Sequence, residues 1–306
     1  MGEVAVMPAP RLVKLLVPID FSGGSRLLLR WSVRMAEAFG AKVSLVGIAE
    51  ARAETDRVAG SVEPCMQARA LELWRECEVP GELQGGTMVP LPSGADGMVA
   101  AVRAFSADLV VAAAARTGVV GWRGWWHRNA FEQALRRLPC SVLSINPEFL
   151  ERGFPSPGLI APLSWQSLLV WDDGRSDSAG TIAWAAELAR RTHAAVTIVR
   201  YFDQALRGMR TQPFTTRRGA AGERALVERR LMAQIGLHDW GQGRPRILFR
   251  NGHGDAGAVC RLASRMGADL VLIRAPRDRP WWRLLPVDRT LELVRAAPCP
   301  VLSVPG

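Results

Sequence analysis

Two segments of this chain combine tryptophan with arginine, the side chains that are enriched at binding hot spots. They read RTGVVGWRGWWHRN at Arg116–Asn129 and RAPRDRPWWRLLPVDR at Arg274–Arg289, and each holds a Trp-Trp pair among arginines. We favour the interpretation that one ring of each pair covers a neighbouring helix while the arginines stay in solvent. The alternatives are a protein partner, or docking at an anionic membrane surface, which attracts both side chains. The candidate interaction residues are Trp122, Trp125, Trp126, Arg128, Trp281, Trp282 and Arg283.

Histidine and cysteine, which often serve in catalysis and metal binding, give little support for an enzyme. The histidines do not sit at the spacing of a catalytic triad or a metal site. The five cysteines are odd in number and scattered, without a Cys-x-x-Cys pair. Cys140 and Cys299 precede equivalent apolar runs, which predicts buried structural thiols. We therefore expect a protein with no catalytic residue and no metal ligand. The histidines are His127, His193, His238 and His253.

Most of the chain is an internal duplication. The segment KLLVPIDFSGGSRLLLRWSVRMAEAFGAKVSLV at Lys14–Val46 returns as SLLVWDDGRSDSAGTIAWAAELARRTHAAVTIV at Ser167–Val199. Further on, SADLVVA at Ser106–Ala112 resembles GADLVLI at Gly267–Ile273, and LPCSVLSI resembles APCPVLSV. Two similar domains were therefore joined head to tail.

Each half alternates strands with helices. We predict a strand at Leu12–Ile19, which is almost continuously apolar, a helix at Ser25–Phe39 that Gly40 ends, and a strand at Lys42–Ile48. The alternation continues through each half and includes a weak strand near Leu83–Val89. This order is typical of an α/β fold with a parallel sheet and right-handed crossovers. The apolar face of the first helix consists of Leu28, Trp31, Met35 and Ala38.

The length of the chain fits two domains. A chain of 306 residues gives each half enough sequence to bury its own core. The stretch Asn146–Trp165 is rich in proline and glycine and has no clear period, as is typical of a linker. We predict one domain at residues 1–148, a linker at 149–165 and a second domain at 166–306.

Composition argues against a membrane protein and against specific nucleic-acid binding. The chain has 48% hydrophobic residues and no apolar run of the roughly 18 residues that a membrane span needs. Its N-terminus lacks the pattern of a secretion signal, so we expect a cytoplasmic protein. The net charge is +10, but the basic residues are scattered, and all except Lys14 and Lys42 are arginine. Such a distribution is typical of a solvated surface, and we do not expect specific binding to nucleic acid.

Several of these motifs are similar to those of a known family. The opening LLVPIDFS, the helix ending AEAFGAKVSLV, the strand ADLVV and the closing PCSVL resemble the universal stress protein family, and the duplication resembles its tandem members. The resemblance implies two Rossmann-like (adenine nucleotide alpha hydrolase-like) domains, each a five-stranded parallel sheet of strand order 3-2-1-4-5. It also implies that the last strands, Val142–Ile145 and Val301–Val304, meet in an intramolecular pseudo-dimer, since single-domain members associate through these strands.

Some members of that family bind ATP, and others do not. The signature of the binders is G-x2-G-x9-G-[S/T] after the fourth strand, where glycines let backbone N–H groups approach the phosphates. This chain keeps the spacing but replaces the residues, so we expect degenerate ATP sites. Only Gly118 survives, which leaves ATP binding possible in the first domain. The four positions are Ala115, Gly118, Arg128 and Asn129 in the first half and Arg274, Arg277, Val287 and Asp288 in the second.

The resemblance also gives a role to the carboxylate that follows the first strand of each half. Asp20 and Asp173 match the family's aspartate beside the ribose and base. The alternative, which we favour, is an acceptor for backbone N–H groups where the strand turns into a helix. Trp171 replaces Pro18 in the second half, which should fill or reshape the base pocket there. The candidate cofactor-binding residues are therefore Pro18, Asp20, Gly118 and Asp173.

Taken together, the sequence predicts a non-catalytic tandem universal stress protein that acts in stress response or regulation. One alternative is a regulatory switch that keeps ATP in the first domain through Asp20 and Gly118. Another is an interaction module that docks a protein or an anionic surface through the Trp/Arg segments.

Overall fold

The computed structural model describes ten stretches of the chain. These are residues 10–19, 23–47, 59–77, 95–114, 128–153, 164–173, 178–202, 217–241, 243–275 and 289–305. The strands are β1 (Lys14–Ile19), β2 (Lys42–Gly47), β3 (Leu109–Ala113), β4 (Ser141–Ile145), β5 (Ser167–Asp172), β6 (Ala195–Phe202), β7 (Arg246–Asn251), β8 (Leu270–Arg274) and β9 (Val301–Val304). The helices are α1 (Gly23–Phe39), α2 (Ala59–Glu76), α3 (Ala95–Phe105), α4 (Arg128–Arg137), α5 (Pro147–Gly153), α6 (Ala179–Thr192), α7 (Arg217–Ile235), α8 (Ala256–Met266) and α9 (Arg289–Ala296).

The chain divides into two compact units. The first unit consists of Arg11–Ser164 together with Ala275–Pro305, and the second is built on Trp165–Arg274. The last helix and strand of the second sequence repeat, α9 and β9, therefore belong to the first unit. The domain limits that we predict from the sequence, 1–148 and 166–306, stay a prediction.

The sheet of the first unit has the order β2-β1-β3-β4-β9 among the described strands. The pairs β1–β2, β1–β3 and β3–β4 are parallel, as the apolar strands and the helices between them predict. The pair β4–β9 is antiparallel, with Val142 opposite Ser303 and Leu143 opposite Leu302. The predicted contact between Val142–Ile145 and Val301–Val304 is thus present.

The sheet of the second unit has the order β7-β6-β5-β8, and its strand pairs β5–β6, β5–β8 and β6–β7 are parallel. The predicted order for each repeat is 3-2-1-4-5. In the second repeat, β7, β6, β5 and β8 are strands 3, 2, 1 and 4 of this order. In the first repeat, β2, β1, β3 and β4 correspond to strands 2, 1, 4 and 5. The predicted α/β, Rossmann-like fold is confirmed. The weak strand predicted near Leu83–Val89 lies outside the described residues.

Helix α1 shows how the apolar spacing forms the core. Leu28, Trp31 and Met35 are buried as the spacing predicts, but Ala38 is exposed, and Phe39 is buried in its place. The prediction for Ala38 was wrong because the buried face of α1 includes Ala36 and Phe39, which leaves Ala38 on the solvent side.

Helix α5 occupies the first part of the predicted linker 149–165. Asn146 begins it: the Asn146 side-chain oxygen accepts a hydrogen bond from the Glu148 N–H at 3.0 Å. Pro147 fits the first helical turn, where no N–H is needed. Leu150 is fully buried, so this short helix packs into the first unit, and α5 contacts α1. An Asn-Pro-Glu start was the sequence signal for this helix, which the lack of a clear period concealed.

The duplicated Ala-Asp-Leu motif fixes the start of the first strand in each half. Asp108 accepts hydrogen bonds from the backbone N–H groups of Val13 and Lys14, both at 2.9 Å. Asp269 does the same for Gln166 at 2.7 Å and Ser167 at 2.9 Å. Charge-assisted bonds of this kind are stronger than neutral ones, so each aspartate holds two adjacent strands in register.

No helix within the described stretches is long and apolar enough to cross a lipid bilayer.

Candidate functional site

The candidate site of the second unit lies at the carboxyl ends of its strands. β5 has β6 on one side and β8 on the other, so the strand order reverses at β5. Crevices at such a switch point are the usual ligand sites of open α/β sheets. Val170 of β5 is opposite Leu272 of β8, and this register brings the strand ends Asp172 and Arg274 level with each other.

A buried ion pair lies at this edge of the sheet. Asp172 is opposite Arg200 in the β5–β6 register, and Arg200 Nη1 lies 3.2 Å from Asp172 Oδ2. The Asp172 side chain is 6% exposed and that of Arg200 is 15% exposed. A charged group with so little exposure to solvent needs a close partner of opposite charge. Asp172 and Arg200 are such partners for each other.

Arg200 also contacts an aromatic pair, Phe202 and Phe249, through the Phe202 ring. The guanidinium of Arg200 lies 5.8 Å from the ring centroid of Phe202, whose ring is 5.6 Å from that of Phe249. On α7, Arg224 covers the Phe249 ring at 4.7 Å. Cation–π contacts at these distances are attractive. The ion pair is therefore part of a packed layer of charged and aromatic side chains between the sheet and α7.

The sequence pointed to Asp173, but the buried carboxylate is its neighbour Asp172. Asp173 follows β5 directly and is exposed, and its predicted contact with a ribose stays a prediction. Trp171 is buried at 6% exposure, and the expectation that it fills or reshapes a base pocket stays a prediction. The signal for Asp172 was the pairing of an acidic strand end with Arg200, which becomes visible only when the two strands are aligned.

Arg274 takes the first glycine position of the family's phosphate-binding signature. It ends β8, and its Nε is buried without a hydrogen-bond partner among the described residues. In the family's signature a glycine at this position lets backbone N–H groups approach a phosphate, whereas this chain has a half-buried arginine there. Arg274 therefore places a guanidinium group at the end of β8.

The loop between β7 and α8 completes the described part of this edge. Gly252 has φ +117°, a conformation that favours glycine. A Cβ on Gly254 would lie 2.7 Å from Tyr201 Cβ, so only glycine fits against this ring. Asp255 caps α8 by accepting a hydrogen bond from the Ala258 N–H at 2.6 Å. His253 is exposed in this loop. These residues build a close turn between β7 and α8 that carries the exposed His253.

The first unit provides few of its predicted site residues for comparison. Pro18 is buried within β1. Arg128 begins α4. The other candidates of this half and the Trp/Arg segments lie outside the described residues, namely Asp20, Gly118, Trp122, Trp125, Trp126, Trp281, Trp282 and Arg283.

Three of the described cysteines, Cys77, Cys140 and Cys260, have thiols that resist ionisation. Burial raises the pKa of Cys140 to about 12, and the charge of Asp108 acts in the same direction. Burial also raises the pKa of Cys77 and Cys260. A thiol must lose its proton to act as a nucleophile or a metal ligand. Within the described stretches, no group of three or more His, Cys, Asp or Glu side chains is arranged to hold a metal ion.

The prediction of buried thiols holds for Cys299, but Cys140 is only half-buried. The raised pKa of the Cys140 thiol should nevertheless make the protein less stable at alkaline pH. Below the ordinary thiol pKa of 9.0 both folded and unfolded states keep the proton. Between pH 9.0 and about 12 only the folded state keeps it, so the free energy of unfolding falls as the pH rises. From pH 8 to pH 10 we expect this thiol to remove about 1.4 kcal/mol. Urea denaturation at both pH values, compared with Cys140→Ala, measures the difference, and equal pH slopes for the two proteins would contradict it.

The duplicated sheet and its switch-point edge define a tandem protein of Rossmann-like α/β domains. A model of the universal stress protein family matches residues 13–145 and again residues 164–305. The chain therefore belongs to the universal stress protein family and carries its domain twice.

Solved structures with the same fold cover nearly the whole chain. A universal stress protein from Archaeoglobus fulgidus DSM 4304 is 12% identical, with a TM-score of 0.65 over 95% of this chain and 96% of its own. A Pseudomonas aeruginosa UCBPP-PA14 protein assigned to the same family is 15% identical, with a TM-score of 0.64 over 97% and 94%. At these identities the likeness shows the fold alone. A search of curated proteins found no match.

Proposed function

We propose that this protein is a non-catalytic universal stress protein that acts in stress response or its regulation, with ATP sites that no longer bind nucleotide in the family's usual way. The observation that carries the proposal is Arg274, a half-buried residue with a buried Nε, which stands at the strand end where the nucleotide-binding signature has a glycine. Family membership supports the stress-response role.

The surroundings of Arg274 support the loss of nucleotide binding in the second half. Asp172, the neighbour of the family-matched Asp173, is paired with Arg200 at 3.2 Å at this strand end. Trp171 is buried where the first half has Pro18. A base and a ribose would have to displace packed side chains, at a cost in desolvation and broken contacts.

In this proposal the two repeats work as an intramolecular pseudo-dimer. The antiparallel pairing of β4 with β9 supports it, because a strand from each repeat contributes to one sheet. A chain that pairs these strands internally has no need of a second copy at this edge.

Restoring the signature should restore ATP binding. We expect the natural chain to bind no ATP up to millimolar concentration in calorimetric titrations and to carry none after gentle purification. The variant Arg274→Gly, Arg277→Gly, Val287→Gly, Asp288→Ser regains the glycines and the hydroxyl of the signature, and we expect it to bind ATP at least tenfold more tightly. A matched control changes only Arg265→Gly on α8. Nucleotide that copurifies with the natural chain, detected by native mass spectrometry, would contradict the proposal.

The alternative with most support in the sequence is an ATP switch in the first domain. It depends on Gly118, the signature glycine that survives, and on Asp20. If ATP copurifies with the natural chain and is lost in Asp20→Ala but retained in Asp173→Ala, the switch replaces the proposal. If Trp125→Ala with Trp126→Ala removes binding to a protein or to anionic vesicles without loss of fold, the interaction module gains support.

A further inference from the structure

Strand β7 differs from the other described strands in its burial. The other eight strands each have several buried residues, whereas β7 has only half-buried and exposed ones. Among the described strands β7 pairs with β6 alone and so ends the sheet of the second unit. The backbone N–H and C=O groups on the other side of an edge strand can pair with an added strand.

The side chains of β7 present different chemistry on the two faces of the sheet. Arg246, Leu248 and Arg250 alternate onto one face, and both arginines are exposed. Ile247 and Phe249 lie on the other face and are half-buried. A strand added beside β7 would therefore meet Arg246 and Arg250 on one face, and on the other Ile247 and Phe249, whose ring also contacts Arg224 of α7.

Further arginines extend the positive charge beside this edge. Arg261 and Arg265 are exposed on α8, which packs on the same face as Arg250 and Tyr201: the Tyr201 hydroxyl lies 3.4 Å from the Ala258 carbonyl oxygen. Burial raises the pKa of the Tyr201 phenol, and the charges of Arg250, Arg261 and Arg265 act in the opposite direction, which places all three arginines near this ring. The acidic side chain close to them is Asp255, which is engaged as the cap of α8.

Self-pairing of β7 in the register centred on Leu248 is unfavourable. An antiparallel pair of two β7 strands centred on Leu248 would set Arg246 of one copy opposite Arg250 of the other. Like charges directly opposite each other across a pair of strands are destabilising. An acidic segment gains from the same arginines, and each charge-assisted contact adds to the main-chain hydrogen bonds.

We propose that the edge of β7 that faces away from β6, unpaired among the described strands, binds an extended segment of a partner protein together with Arg246, Arg250 and the arginines of α8. The bound segment adds one strand to the sheet. The segment alternates acidic residues, which face the arginines, with small apolar residues, which cover Ile247 and Phe249. Its main chain supplies the hydrogen bonds and its acidic residues supply the selectivity.

The test uses the full chain and a fluorescein-labelled peptide of sequence EVEVEVEV, followed by fluorescence anisotropy. We expect saturable binding that weakens as salt is added, and no binding of KVKVKVKV. Two peptides methylated at every second backbone nitrogen test the added strand. Binding should be abolished when the methyl groups replace the N–H hydrogens that face β7. It should be nearly unchanged when they replace the N–H hydrogens on the opposite side of the peptide. Only an added strand predicts this dependence on the methylated side.

Variants of the protein separate the edge from general attraction between charges. Arg250→Glu and Arg246→Glu should each weaken binding at least tenfold, whereas Arg103→Glu, an exposed arginine of α3 in the first unit, should change it less than twofold. Circular dichroism checks that each variant is folded. No binding of EVEVEVEV at millimolar peptide, equal losses from all three variants, or equal binding of both methylated peptides would overturn the proposal. So would phosphatidylglycerol vesicles or single-stranded DNA that bind through Arg250 when the peptide does not, or a dimer that Arg250→Glu dissociates.

Discussion

Replacing Leu302 with aspartate should leave little folded protein. Leu302 is 1% exposed in β9 and lies opposite Leu143, which is 0% exposed. A carboxylate at this position would be buried without a partner, and the Leu302 side chain would be lost from the core. We expect the free energy of unfolding to fall by more than about 4 kcal/mol, a large part of the stability of an ordinary domain. Thermal unfolding followed by circular dichroism, together with the yield of soluble protein, measures the effect.

Leu226→Asp is the matched control for this experiment. It makes the same change of side chain on α7, where Leu226 is 62% exposed, and we expect a change within about 0.5 kcal/mol. Near-native stability of Leu302→Asp would mean that β9 does not pair with β4 in solution.

Removing the Asp172 carboxylate should be the second most damaging of these changes. In Asp172→Ala the guanidinium of Arg200, 15% exposed, loses the carboxylate oxygen that lies 3.2 Å away. Breaking a buried ion pair on one side costs about 3–5 kcal/mol, because the other charge remains buried without its partner. Urea denaturation measures the loss.

Two further variants test the cause of that loss. Asp173→Ala makes the same change one residue later, where the side chain is exposed, and should alter stability by about 0.5 kcal/mol or less. The double variant Asp172→Leu, Arg200→Met removes both charges and should be more stable than Asp172→Ala alone. If Asp172→Ala and Asp173→Ala lose equal stability, the ion pair does not stabilise the fold.

The sequence was sufficient to predict the described strands, every described helix except α5, and their order. The apolar run of β1, the spacing of Leu28, Trp31 and Met35 and the closing strand at Ser141–Ile145 are local signals, and the structure agrees with each. The internal repeat supported these predictions, because the same order of strands and helices is predicted independently in the second half. Local periodicity is enough here because a central parallel strand and an amphipathic helix each bury a face set by their own residues.

The parts that escaped prediction depend on contacts between distant residues. The importance of Asp172 over Asp173 follows from the register with Arg200, which no local pattern contains. The closeness of Gly254 to Tyr201 also needs the packed structure. The grouping of β9 with the first unit needs the full set of contacts, although the resemblance to a family predicted the strands that meet.

The pairing of β4 with β9 also determines the order in which this sheet can be completed during synthesis of the chain. β4 leaves the ribosome early, but the strand that pairs with its outer side is made only after the whole of the second sheet has been synthesised. Throughout that interval the nascent chain carries an apolar strand with an unpaired edge, the kind of surface that invites aggregation. A stalled or truncated chain would expose the same unpaired edge of β4. Chaperones and proteases that bind this edge would therefore recognise incomplete chains and not complete ones.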